Sequence, residues 1–140
     1  MDNQIYRVVL DTNVIFEGLT KKKSACGLIV DAWLNDLIVV CVSSPLAYEY
    51  NDVLSRKLNE EKWFRAQVLL RILLKKSVNI SIYYSWRPMS PDPGDDLVID
   101  CVMNANAWLI TSNIKDFQKA HKELGLQVLT PKEFVEILVN

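Results

Sequence analysis

Short runs of consecutive apolar residues, separated by longer stretches with helical periodicity, constrain this chain more than any other feature. Val8-Val9-Leu10, Leu37-Ile38-Val39-Val40-Cys41-Val42 and Trp108-Leu109-Ile110 contain no polar residue. A strand with one wet face alternates polar and apolar side chains, whereas a strand that is apolar throughout is covered on both faces, as in a parallel sheet sandwiched by helices.

The remaining elements follow from caps and spacing. Tyr6 to Leu10 reads as a strand that stops at Asp11-Thr12-Asn13. Ser24 can cap a helix carrying Leu28, Ile29, Ala32 and Trp33, and Ser43 or Ser44 before Pro45 can start one carrying Leu46, Tyr50, Val53 and Leu54. A long amphipathic helix is expected over 60–78, with Trp63, Phe64, Val68, Leu69, Ile72 and Leu73 as its apolar set. Residues 79–85 alternate enough for a third strand, and the proline-rich segment 87–94 reads as a loop. A helix over 95–107, a strand over 108–112, a helix over 116–124 closed by Gly125, a strand over 126–129 and a helix begun by Thr130-Pro131 complete the order. The pattern is α/β, with a central parallel sheet of about five strands between two helical layers. The 140 residues suit one domain, 1–140, without repeats or linkers.

Several chemistries are excluded by what is scarce. His121 is the single histidine, which argues against zinc sites and against triads with a histidine base. The four glycines are scattered, so no phosphate-cradling loop can be assembled. Cys26, Cys41 and Cys101 are odd in number and form no C-x-x-C pair, as expected of reduced core thiols. Met1-Asp2-Asn3-Gln4 lacks the basic start of a leader, and no run approaches a bilayer span, so a cytoplasmic protein without membrane attachment is expected.

Acids fall where such a sheet binds ligands, beyond the carboxyl ends of its strands. Asp11 follows the first apolar run directly, beside Thr12 and Asn13, and Asp116 follows the fourth through Thr111-Ser112-Asn113. Glu49 shares a helical face with Leu46 and Val53, and Asp96 and Asp100 lie one turn apart on a largely apolar helix. Each also has a simpler reading: a turn or cap residue for Asp11, a surface position for Glu49, a cap for Asp116, and a dipole partner for Asp95 and Asp96. The dipole does not account for Asp100, already in the second turn, where paired carboxylates would repel unless a cation lay between them. Carboxylate oxygens without histidine or cysteine select magnesium or manganese, and the usual chemistry of such a cluster is phosphodiester hydrolysis by an activated water.

Net charge is −1, yet setting Asp11, Glu49, Asp96 and Asp116 against a cation leaves 16 basic residues facing 13 acidic ones. Lys21-Lys22-Lys23, Arg56-Lys57 and Lys115 lie near these acids in sequence and are candidates for contact with a polyanion, although each also suits a solvated face.

These residues resemble the PIN domain, in particular its prokaryotic toxin-like branch related to the VapC ribonucleases. The likeness is carried, in order, by Val8 to Val14, the Glu49 helix, Asp92-Pro93-Gly94-Asp95-Asp96, and Leu109 to Phe117. It implies a three-layer α/β/α fold and a metal-dependent endonuclease for single-stranded RNA. It also implies a homodimer and a small antitoxin partner. By position, Asp11, Glu49, Asp96 and Asp116 take the metal-site acids; Thr12, Asn13 and Ser112 take supporting polar roles; Asp100 matches an additional acid of some members. Many relatives carry an aspartate where Asn113 stands. A receiver domain would need an acceptor aspartate at the end of the third strand, and residues 79–85 supply none; Asn13 breaks the Asp-x-Asp motif of a phosphatase. The competing reading is a non-catalytic PIN-like scaffold that binds RNA or protein.

Overall fold

β1 (Arg7–Leu10), β2 (Val39–Val42), β3 (Val78–Asn79), β4 (Trp108–Ile110) and β5 (Val128–Leu129) pair in parallel in the order β3-β2-β1-β4-β5. The structure is a computed structural model that describes residues 5–140, so the leader reading of residues 1–4 lies outside the described part. Successive strand residues point to opposite faces, and Val8, Val9 and Leu10 are all fully buried. Both faces of the sheet are therefore covered, which makes the fold a three-layer α/β/α sandwich, as the apolar runs require.

The covering helices are α1 (Thr12–Thr20), α2 (Ala25–Leu34), α3 (Ser44–Lys57), α4 (Glu60–Lys76), α5 (Pro93–Ala105), α6 (Gln118–Leu124) and α7 (Pro131–Val139). Their starts are set by side chains that satisfy orphan amides: Ser24 accepts from Gly27 N–H, Ser43 from Leu46 N–H, and Thr130 and Glu133 form a reciprocal capping box. Gly125, at φ 75°, closes α6. Trp33, Tyr50, Phe117 and Phe134 are the largest fully buried side chains, and burying a large apolar side chain contributes about 1.5–3 kcal/mol. The three cysteines are buried and free. No helix among the described residues is long and apolar enough to cross a membrane.

Four expectations change. Thr12 to Thr20 is a helix and not merely a strand exit; it packs so closely on α2 that a Cβ at Gly18 would lie 2.5 Å from Val30 Cγ2 and 2.8 Å from the Cys26 carbonyl oxygen. The third strand is only Val78–Asn79 and does not extend to residue 85, because side chains of α5 bind the following segment away from the sheet edge. The helix expected over 60–78 stops at Lys76 and buries Ala66, Leu70 and Leu73, leaving Phe64, Val68 and Ile72 exposed. Asp116 does not begin a helix; it lies in a 3-10 turn, Ile114–Phe117, that precedes α6. The remaining boundaries shift by a few residues: Asn106 in the left-handed region (φ 51°) ends α5, and β2 begins at Val39, with Leu37 exposed.

Candidate active site

The strand order reverses at β1 and β4: the chain builds outward through β2 and β3, then returns to the other side of β1 and continues to β5. The crevice beyond the carboxyl ends of two such strands is the characteristic binding place of an open α/β sheet. Leu10 pairs with Ile110, and Asp11 N–H donates to the Ile110 carbonyl at 2.9 Å, so Asp11 and Thr111 emerge side by side at that point. The Thr111 hydroxyl donates to Asp11 Oδ2 at 2.7 Å, and the Thr12 amide donates to Asp11 Oδ1 at 2.8 Å. From α3, the buried Tyr50 hydroxyl donates to the Leu10 carbonyl, tying that helix to the end of β1.

The start of α5 brings further acids. Asp92 caps the helix by accepting from Gly94 N–H at 2.9 Å, and the Ser90 hydroxyl donates to Asp95 Oδ2 at 2.9 Å. A Cβ at Gly94 would lie 3.2 Å from Glu49 Oε1 and 3.4 Å from Asp92 Oδ1, so the half-buried Glu49 carboxylate rests against this helix start.

Burial raises the pKa of Asp11, and the charges of Asp116 and Asp92 add to the effect against the Thr111 and Thr12 hydrogen bonds. Burial likewise lifts Asp95 to about 6; the Ser90 hydrogen bond opposes the shift, and the charges of Asp11, Asp92 and Asp116 support it. Asp11, Asp92, Asp95 and Asp116 thus act on one another through their charges, although they come from three separate chain segments.

Asp96 is buried, and its Oδ1 accepts the Met89 amide at 2.9 Å. Asp100 is buried and receives Arg87, with Nη2 at 2.8 Å and Nε at 3.0 Å, together with the Ser85 hydroxyl at 3.3 Å. It serves as the anchor of an ion pair. Ser112 lies with Glu17, Cys26 and Lys132 at a small cavity of about 250 Å³, and Asn113 is exposed, its amide donating to the Thr111 hydroxyl. Lys21, Lys22, Lys23 and Lys115 are exposed; Arg56 is paired with Asp52 at 3.0 Å, and Lys57 lies 5.3 Å from the Phe16 ring centre.

Among the described residues, no three carboxylate, imidazole or thiol groups converge closely enough to hold a metal ion as they stand. The donor chemistry nevertheless fits a hard cation: like-charged carboxylates made costly by burial, and the buried Asn13 Oδ1, which has no hydrogen-bond partner. Sequence reasoning missed Thr111, which looks like one more strand residue, and assigned Asp95 only to the helix dipole. The run of two acids after Asp92-Pro93-Gly94 was the available signal for Asp95.

The chain is similar in fold to three solved structures. VapBC2 from Rickettsia felis bound to a DNA fragment from their promoter matches with TM-score 0.63 and 18% identity, over 89% of this chain and 98% of that one. VapBC-1 from nontypeable Haemophilus influenzae matches with TM-score 0.58 and 17% identity, over 90% and 98%. FitAB bound to an IR36 DNA fragment matches with TM-score 0.58 and 18% identity, over 89% and 94%. No curated protein matches the sequence at a significant level. The family model described as the PIN domain matches residues 7–115, most of the length, and this chain therefore belongs to the PIN-domain family.

Proposed function

We propose that this protein is a magnesium- or manganese-dependent endoribonuclease that hydrolyses single-stranded RNA, with Asp11, Glu49, Asp95, Asp96 and Asp116 as its acids. The observation that carries the reading is the burial of Asp11 and Asp95 among like charges at the β1/β4 crevice. Such an arrangement is costly without a cation and is relieved by one. Asp95 joins the set because the charges of Asp11, Asp92 and Asp116 all act on it.

A divalent cation, when bound, supplies an activated water and offsets charge on the scissile phosphate. The chain's own part is to orient the acids: Thr111 holds Asp11, Ser90 holds Asp95, and Met89 holds Asp96. Asn13 and Thr12 lie in the first turn after Asp11 and would contact substrate or ligand from there. Attack of water on phosphorus with loss of the 3′ oxygen would leave a 5′-phosphate end. Lys21, Lys22, Lys23, Lys57 and Lys115 are exposed cations able to meet the RNA backbone, and Arg56 could do so by leaving Asp52.

A small antitoxin partner is part of the proposal, supported by the VapBC and FitAB likeness. Self-association is supported by the exposed line Phe64, Val68 and Ile72 on α4, with Glu60 and Glu61 at one end and Lys75 and Lys76 at the other. An antiparallel copy would set Phe64 against Ile72 and acids against bases about Val68.

Cleavage of a labelled mixed-sequence RNA by wild type and Asp11→Asn, each with manganese, magnesium or chelator, tests the function. Metal-dependent cleavage that Asp11→Asn lacks is the expected result. No cleavage by either, with no metal-induced rise in melting temperature, would overturn it in favour of a non-catalytic scaffold.

A further inference from the structure

Between β3 and α5 the chain runs for more than ten residues without helix or strand, yet from Tyr83 to Ser90 it is pinned along α5. Asn104 Oδ1 accepts the Tyr83 and Tyr84 amides at 3.0 and 3.3 Å, and its Nδ2 donates to the Tyr84 carbonyl at 2.9 Å. Asp100 holds Ser85 and Arg87, and Asp96 holds the Met89 amide. Asp96, Asp100 and Asn104 recur every four residues, so a single stripe of α5 grips the segment.

At Tyr83 and Tyr84 the grip is on backbone groups, leaving the side chains outside. Tyr83 is 80% exposed and Tyr84 69%, and the Tyr84 and Trp86 rings stand 6.1 Å apart at 45°. Large aromatic surfaces turned to water from a tethered backbone mark a binding surface. Their flat faces and polar edges suit stacking by heterocyclic bases, which is tolerant of sequence because every base offers a π-face. Asn104 lies nine residues beyond Asp95 on the same helix, about 14 Å at the rise of an α-helix. One short stretch of single strand can therefore span both places.

We propose that Tyr83, Tyr84 and Trp86 form a stacking platform for unpaired RNA bases, held by α5 at a fixed distance from the acids. The proposal rests on the nuclease reading for its choice of ligand. Its test measures binding in chelator, where no metal-dependent step occurs. A fluorescent single-stranded RNA of about twelve nucleotides is titrated with wild type, the double variant Tyr84→Ala/Trp86→Ala, and Tyr84→Phe/Trp86→Phe. Affinity is expected to fall about tenfold or more in the alanine variant and to stay within about twofold in the phenylalanine variant. An abasic strand of equal length should bind weakly to all three. Equal affinity of wild type and alanine variant, equal affinity for the abasic strand, or no RNA binding by wild type would overturn the proposal. A phenylalanine variant as weak as the alanine one would also overturn it. If wild type cleaves RNA and the alanine variant keeps its KM, the platform fails while the nuclease stands. Ring-dependent binding without cleavage under any metal is the reverse case.

Discussion

The Thr111 hydroxyl donates to Asp11 Oδ2 at 2.7 Å while accepting the Asn113 amide at 3.0 Å. A hydroxyl has one proton, so the incoming amide fixes its direction and aims that proton at Asp11. The bond favours the charged carboxylate and works against the burial that raises its pKa.

Thr111→Val, close in shape but without the donor, should reduce cleavage about 10- to 100-fold, the usual cost of losing a partner that orients a ligand. Because the lost bond lowered the Asp11 pKa, the acid limb of the pH–rate profile should move to higher pH. Thr111→Ser should keep most of the activity. A profile unchanged by Thr111→Val would show that the hydroxyl does not tune Asp11.

Asp95, lifted to about 6, gives a second pH signature. Its folded pKa exceeds the unfolded value, so between the two the native state binds more protons and stability falls as pH rises through that window. In chelator at neutral pH, Asp95→Asn should therefore melt about 2–4 °C higher than wild type, with the gap closing below about pH 4. Manganese should stabilise wild type more than the variant. Calorimetric melts across pH, with and without metal, read both effects.

Arg87 and Asp100 meet at 2.8 Å, with the Asp100 side chain 4% exposed and that of Arg87 48%. Arg87→Ala leaves a buried charge without its partner, and after discounting for the solvent around Arg87 the expected loss is about 1–3 kcal/mol. Urea unfolding measures it, and limited proteolysis should reveal faster cutting within residues 80–92. A variant as stable and as resistant as wild type would remove the pair as the anchor of this segment.

Val68→Asp should leave the fold intact, because the side chain is half exposed, and should shift the protein toward the monomer. Sedimentation of wild type and variant over a range of concentration reads the change. A wild-type monomer at all concentrations would remove α4 as an interface.

The centre of the sheet was legible because the runs within β1, β2 and β4 are apolar, and the helix starts because Ser24, Ser43 and Thr130 cap them in sequence as in space. Helix α1 was not legible: Asp-Thr-Asn favours a turn locally, and only packing on α2 settles the helix. The over-long third strand arose because alternation in residues 79–85 resembles a sheet edge, while the decisive contacts come from Asn104 and Asp100, some twenty residues away. Asp11 stood out at the end of an apolar run. Asp95 and Asp96 are neighbours about 100° apart around a helix, so their surroundings depend on its rotation, which no short pattern reveals.

The hydrogen bond from Thr111 to Asp11 joins positions one hundred residues apart, and the two strand ends meet only after β4 has docked beside β1. A growing polypeptide carries Asp11 from its first moments yet lacks the other wall of the crevice until residue 111 has been added. Premature termination before β4 would yield a fragment with several of the acids and no assembled centre. The order of synthesis thus withholds the site until nearly the whole sandwich is present.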